Sequence, residues 1–289
     1  MLAAQRRAGI VSLLDVSGAV SVTELAAHFG VSDMTIRRDL DNLAAHGLIA
    51  KVHGGAVAPA DAAVGSSARR SEEPGFPVKS AQRQAEKEAI AAAAVQLVQP
   101  GMSIGLSAGT TTWALAHRLL GIGELTVVTN SPRIAEIFHR SAEQARAGGE
   151  APEQTAAGSA PADQTVILTG GVRTPSDALV GPIANQALRS LHLDLIFLGA
   201  HGFALEAGFT TPNLEEAETN RTWLQTSPRA VVLADHSKWN ATALGTFAEL
   251  AQIHTLITDT GVDDAAADAL REQLEALILA EPTETRSPR

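Results

Sequence analysis

Two adjacent guanidinium groups, Arg37 and Arg38, stand in the stretch VSDMTIRRDL (31–40) beside the hydroxyl side chains of Ser32 and Thr35. Guanidinium and hydroxyl groups bond phosphate oxygens and the edges of bases. A second set lies in IGLSAGTTTWALAHRL (104–119), where Ser107, Gly109, Thr110 and Thr111 join a strand-like run to a helical pattern. Gly109 permits a tight turn, and threonine hydroxyls beside the free N–H groups of a helix start suit a phosphate or other small anion. Further polar groups follow apolar runs: Asn130 and Ser131 in VVTNSP, Gly170 and Gly171 in LTGG, His201 in GAHG, and Asp235 and Lys238 in LADHSKW. A lysine just past a buried strand can grip a phosphate. Glu218 and Arg221 in EAETNR are not placed by the pattern.

Other chemistries are not indicated. The chain has no cysteine and no histidine pair at metal-ligand spacing, so neither a disulfide framework nor a metal site is expected. It has no G-x-G-x-x-G and no G-x-x-x-x-G-K-[ST], and no cofactor is expected. The net charge of −10 argues against non-specific grip on polyanions, which draws on bulk positive charge. Residues 1–57 carry five basic side chains (Arg6, Arg7, Arg37, Arg38, Lys51) and five acidic ones (Asp15, Glu24, Asp33, Asp39, Asp41), so the rest carries the whole excess. Contact with nucleic acid must therefore be local and geometric. No apolar run approaches the ~18 residues of a membrane span, and the N-terminus lacks an uninterrupted apolar core, so a cytoplasmic protein without membrane contact is expected.

The elements that must position Arg37 and Arg38 are three helices and a hairpin. The first helix spans about residues 5–17 and stops near Gly18. The second lies in SVTELAAHFG, with Val22, Leu25, Ala26 and Phe29 at helical spacing and Gly30 as its stop. Ser32 caps a third helix from Asp33, and the tight turn between the last two makes a helix-turn-helix. At about 100° per residue from Ile36, Leu40 falls at roughly 40° and Leu43 at roughly 340°, whereas Arg38 falls at roughly 200° and Arg37 at roughly 100°. Met34, Thr35 and Asn42 share the polar side. The N-terminal half of such a helix is the part that enters the major groove. GLIAKVHGGAV (47–57) then reads as a hairpin with Lys51 and His53 outward and Gly54-Gly55 at its tip, the wing of a winged helix.

The second set needs a sheet. SIGL (103–106), TVVT (126–129), TVIL (165–168), LIFLGA (195–200), AVVLA (230–234) and HTLIT (254–258) alternate with helical patterns at 80–98, 111–120, 132–140, 180–191, 214–226 and 263–279. Near-continuous apolar strands separated by helices predict a mostly parallel α/β sheet covered on both faces. The expected organisation is a DNA-binding domain at 1–57, a linker at 58–77, an α/β domain at 78–280 with a mobile insertion at 141–164, and a frayed tail at 281–289. The insertion contains no Val, Ile, Leu, Met, Phe or Trp and cannot bury enough to offset ordering entropy.

VSVTELAAHFGVSDMTIRRDLDNLAAHGLIAKVHGGAV resembles the N-terminal domain of the DeoR family of bacterial transcriptional regulators, most specifically in TIRRDL and HGGA. The resemblance implies operator binding as a repressor, with Thr35, Arg37 and Arg38 facing DNA and Lys51 and His53 on the wing. From about residue 78, AGTTT, TNSPRIA, LTGG, LVGPIANQAL, DLIFLGAHG, FTTPNLEEAETNR and LADHSKW are similar to the family's C-terminal sensor domain, itself related in fold to ribose-5-phosphate isomerase. This implies a phosphorylated sugar or related metabolite as effector, its phosphate near Gly109, Thr110 and Thr111. The chain departs from the family where an acidic residue is usual at Ser107 and frequent at His201, which changes how sugar hydroxyls would be held.

The leading reading is a sequence-specific transcription factor on double-stranded operator DNA, a homodimer or homotetramer whose paired winged helices are rearranged by the effector. The alternative is an enzyme, an aldose–ketose isomerase carrying a DNA-binding module. Isomerisation needs a base beside the carbonyl-adjacent carbon. Ser107 cannot serve as that base unaided, and no catalytic residue is assigned.

Overall fold

The computed structural model describes residues 6–7, 9–11, 13–14, 19–45, 48–52, 55–57, 76–146 and 163–283. Contacts divide the chain into two compact units, Met1–Pro74 and Gly75–Arg289. The expectations for Gly18, His53, Gly54, the linker between 58 and 75, the insertion between 147 and 162 and the end of the tail lie outside the described residues.

In the first unit the described residues between 6 and 14 are helical. There follow β1 (Ala19–Ser21), α1 (Val22–Phe29), α2 (Asp33–Ala45), β2 (Ala50–Val52) and β3 (Gly55–Val57). Ser21 Oγ accepts the Glu24 N–H at 3.1 Å while Glu24 Oε2 accepts the Ser21 N–H at 3.0 Å, a reciprocal cap that sets where α1 begins. Gly30 ends it at φ 64°, the left-handed conformation that a side chain resists. One face of each helix feeds a single core of Ile10, Leu14, Val22, Leu25, Ile36, Leu40, Leu43, Ile49 and Ala56. The hairpin β2–β3 is present, and Gly55, expected at its tip, opens β3. β1 was not foreseen: it pairs antiparallel with β3, giving the order β1-β3-β2.

The second unit begins with α3 (Phe76–Ala81) and α4 (Gln84–Val95), then β4 (Ser103–Leu106), α5 (Thr110–Leu119), β5 (Thr126–Thr129), α6 (Pro132–Arg146) and β6 (Thr165–Leu168). After β7 (Val172–Arg173), β8 (Leu179–Val180) and α7 (Pro182–Arg189) come β9 (Leu195–Gly199), β10 (Gly202–Ala204), β11 (Gly208–Thr211) and α8 (Leu214–Leu224). The chain closes with β12 (Ala230–Leu233), β13 (Gly245–Ala248), β14 (Thr255–Asp259), α9 (Asp264–Gln273) and β15 (Ala276–Ala280). Seven of these strands form one sheet in the order β15-β14-β12-β9-β4-β5-β6, every pairing parallel.

Strand residues alternate between two cores. Leu195, Phe197, Val231, Leu233 and Ile257 pack with α4, α5 and α6. Ile196, Leu198, Val232 and Leu256 pack on the other face with Leu188, Trp223 and Leu270. Gly105 is required where the second core presses closest, since a Cβ there would meet the Trp223 ring at 2.6 Å.

Four expectations are corrected. Residues 276–279, read as the end of a helix, belong to strand β15, because the apolar run ALILA completes the sheet beside β14. The helix expected at 80–98 is two helices broken at Arg83, whose φ is 51°. That helix pair begins at Phe76, inside the expected linker, where Phe76 packs edge-on against Trp113. Residues 141–146, assigned to the mobile insertion, extend α6, whose last turns carry (i, i+4) pairs such as Arg140 with Glu136 and His139 with Glu143.

Candidate functional site

On α2, Ile36, Leu40 and Leu43 are buried while Arg37 and Arg38 are exposed. Met34, 75 % exposed, lies on the same outward side. The first turn is tied by the Thr35 N–H to the Ser32 carbonyl at 2.9 Å, and the two hydroxyls lie 3.0 Å apart, so Ser32 and Thr35 open the helix together. Arg37 and Arg38 therefore stand on the outward side of a helix whose inward side is locked. Lys51 lies in β2, with its side chain outside the description, as is the whole of His53.

Composition concealed the roles of two further arginines. Arg6 Nε donates to Asp39 Oδ2 at 2.6 Å, both side chains about nine-tenths buried, so this pair pins the leading helical segment to the inner side of α2. Arg7 donates to Asn42 Oδ1, placing a further guanidinium beside α2.

In the second unit the sheet brings the polar groups to one edge. Because all seven strands are parallel, Ser107–Thr111, Asn130–Ser131, Gly170–Gly171, His201 and Asp235–Lys238 follow the carboxyl ends of β4, β5, β6, β9 and β12. Counted along the chain, the strands on one side of β4 are later ones in rising order, and those on the other are its two immediate successors. The order thus reverses between β4 and β9, and ligands of open α/β sheets bind outside the strand ends at such a reversal.

The residues at this rim do different work. Ser107, 2 % exposed, accepts the Gly199 N–H at 3.0 Å through Oγ. Asn130, also 2 % exposed, accepts the Ala108 N–H at 2.9 Å and donates to the Leu179 carbonyl at 3.0 Å. Ser131 takes its N–H to Thr129 Oγ1 at 3.0 Å at the start of α6. These three shape the rim. Gly109 caps α5 without a side-chain bond, and its carbonyl accepts Trp113 N–H at 3.0 Å, leaving the first N–H groups, at Thr110 to Thr112, ahead of the helical ladder. Gly170 and Gly171 turn the chain at φ 74° and 122°, and a Cβ at Gly171 would meet the Val180 carbonyl oxygen at 2.6 Å. Asp235 accepts the N–H and hydroxyl of Ser237, capping the short turn that carries the half-buried Lys238. His201 is half-buried on the turn from β9 into β10.

Lys87, on α4, was missed by sequence reasoning because a lysine between two glutamates, Glu86 and Glu88, reads as a solvated side chain even on a helix whose alanine-rich face packs on the sheet. It is 6 % exposed. Burial pushes its ammonium down to about 8, opposed by Asp235 and reinforced by Lys238. Glu218, unplaced in the sequence, pairs with Arg221 at 3.0 Å on an exposed side of α8. A groove of about 610 Å³ lined by Trp113, His117, Arg133, Ile137 and Arg140 includes none of the rim residues.

A helix-turn-helix with a hairpin wing, followed by a parallel sheet unit with polar groups gathered at its reversal point, defines a two-domain DNA-binding regulator with a sensor. Residues 6–61 match the DeoR-like helix-turn-helix domain, and residues 82–164 and 155–260 match the DeoR C-terminal sensor domain. The chain belongs to the DeoR family of transcriptional regulators. It is 37% identical to the HTH-type transcriptional regulator GlpR of Haloferax volcanii over 96% of each chain. It is 32% identical to the putative aga operon transcriptional repressor of Escherichia coli O157:H7, covering 95% of this chain and 93% of that one. The glycerol-3-phosphate regulon repressor of Escherichia coli K12 is 29% identical, over 88% of this chain and 90% of that one. Among solved structures, ribose 5-phosphate isomerase A from Methanocaldococcus jannaschii overlays 53% of each chain at 16% identity with a TM-score of 0.34. The family is one of transcriptional regulators, so the isomerase alternative is set aside.

Proposed function

We propose that the chain is a repressor that reads double-stranded operator DNA through Ser32, Thr35, Arg37 and Arg38 on α2, with Lys51 and His53 on the wing. Residues 1–57 form the DNA-binding domain, joined through a linker to an effector-sensing domain at 78–280. The effector is a phosphorylated sugar or related metabolite. Its phosphate lies on the free N–H groups and hydroxyls at Gly109, Thr110 and Thr111, with Lys238 as a cation and His201 toward the sugar. Ser107, Asn130, Ser131, Gly170, Gly171 and Asp235 hold the rim in shape around it. The protein works in the cytoplasm as a homodimer or homotetramer, since two half-sites need two recognition helices.

The observation that carries the sensing role is the uncapped start of α5 at the reversal of strand order, where the backbone itself offers an anion site. A thermal-shift screen of phosphorylated sugars against their unphosphorylated parents tests it. A ligand that prefers the native state raises the melting temperature by mass action, and only phosphorylated compounds should do so. A hit should also change the mobility of the protein–promoter complex in a gel. A flat screen across all compounds would refute the sensing role and leave DNA binding untouched.

A further inference from the structure

Lys87 is the one strongly buried lysine among the described residues, and its surroundings do not neutralise it. Two of its ammonium protons go to the carbonyl oxygens of Lys79, in α3, and of Gln82, in the break between α3 and α4. Among the described residues no carboxylate lies within ion-pair distance of Nζ. The charges that act on it from further off are Asp235 and Glu86 on the negative side and Lys238 and Lys79 on the positive side. Asp235 is held in place by Ser237, whose N–H and hydroxyl its Oδ1 accepts, and it acts on Lys87 as a charge further off.

Its place in the fold is the sensing rim. α4 packs on β12, β14, β15 and α5, and the charges of Asp235 and Lys238, just past the carboxyl end of β12, fall on Lys87. Buried cations are normally paired, because a lone desolvated charge is costly. Here, among the described residues, the ammonium keeps one donor uncommitted beside a second lysine, at the edge where the first N–H groups of helix α5 stand ahead of its ladder. An anion that enters the rim supplies what the fold lacks.

We propose that Lys87 is the buried cation of the effector site and that the phosphate group of the effector is its counter-ion, shared with Lys238; this assignment rests on the sensing role proposed above. Because the same ammonium holds the Lys79 and Gln82 carbonyls, drawing it toward phosphate loosens the α3–α4 segment.

Calorimetric titration of the full-length protein with inorganic phosphate tests the assignment, using wild type, Lys87→Met and Lys87→Gln. Methionine keeps the buried stem, and glutamine retains donors for the carbonyls should the methionine variant fail to fold. Wild type should bind phosphate, and each folded variant should bind at least ten-fold more weakly while retaining wild-type affinity for promoter DNA. On wild type alone, titrations at pH 8.5 in two buffers of different ionisation enthalpy should show proton uptake on binding, as the anion holds the ammonium charged. If wild type binds phosphate while a folded variant binds within two-fold of it, or if no protons are taken up, the Lys87 assignment is overturned and the sensing role stands. If wild type binds neither phosphate nor any phosphorylated sugar, the sensing role itself is overturned.

Discussion

Ser107 Oγ accepts the backbone N–H of Gly199 at 3.0 Å, joining the ends of β4 and β9 where the strand order reverses. This hydroxyl closes the rim from within. Ser107→Ala would leave that N–H without its partner in a site only 2 % exposed. The expected loss is about 1–2 kcal/mol, the penalty for an unsatisfied buried amide. Thermal melts should show a fall of roughly 2–8 °C, from about 2–4 °C per kcal/mol in a unit of this size. An unchanged melt would show that the bond does not bear on stability.

Arg38 is exposed on α2, opposite Ile36 and Leu40, which are 0 % and 1 % exposed. Removing an outward side chain leaves the fold within about 0.5 kcal/mol of wild type. Operator affinity should fall roughly ten-fold or more. If the guanidinium meets a phosphate, the slope of log affinity against log salt should also decrease by about 0.9. Fluorescence anisotropy at several salt concentrations measures both. Wild-type affinity in Arg38→Ala would remove this side chain from the interface.

Arg6 should behave in the opposite way. Its partner Asp39 is 7 % exposed, and without Arg6 it would be a buried carboxylate lacking its counter-charge. Breaking such a pair from one side costs about 3 kcal/mol or more, a large fraction of what a unit this small can hold. Arg6→Met should abolish operator binding through unfolding of the first unit. Limited proteolysis should then cut within residues 1–57 while leaving the sheet unit intact. A variant that resists protease yet loses DNA binding would place Arg6 in the interface instead.

The contrast between Arg38 and Arg6 shows what the sequence could reveal. Periodicity sees a side chain against its own helix, so the inward Ile36, Leu40 and Leu43 and the outward Arg38 were legible from spacing alone. It cannot see a partner 33 positions away, which is the separation of Arg6 and Asp39. The six apolar strands were legible within about a residue because fully buried parallel strands need near-continuous apolar runs. Residues 276–279 were misread because a short apolar run after a helix carries no sign of its own, and pairing with β14 decides it. The small sheet of Gly202–Ala204, Gly208–Thr211 and Gly245–Ala248 left little trace, its three strands being three or four residues long and each beginning with glycine. Lys87 was illegible for a further reason: its burial comes from packing of α4 on the sheet, not from its neighbours in sequence.

That burial has a measurable consequence for stability. In the unfolded chain Lys87 keeps its proton to about pH 10.5, whereas in the native protein it does so only to about pH 8. Between those values the unfolded chain binds more protons, so native stability rises with pH across this window. Below pH 8 the full penalty of burying the charge is present, and above about pH 10.5 it has gone. The full change amounts to about 3–4 kcal/mol, taking roughly 1.4 kcal/mol per unit of displacement. Lys87→Met carries no such term, so it serves as the reference against other groups that titrate in the same range. Urea unfolding of both proteins at pH 7.5 and pH 10 should show wild type gaining about 2 kcal/mol relative to the variant. A difference that stays constant between the two pH values would mean that the ammonium is as well solvated in the native protein as in the unfolded chain.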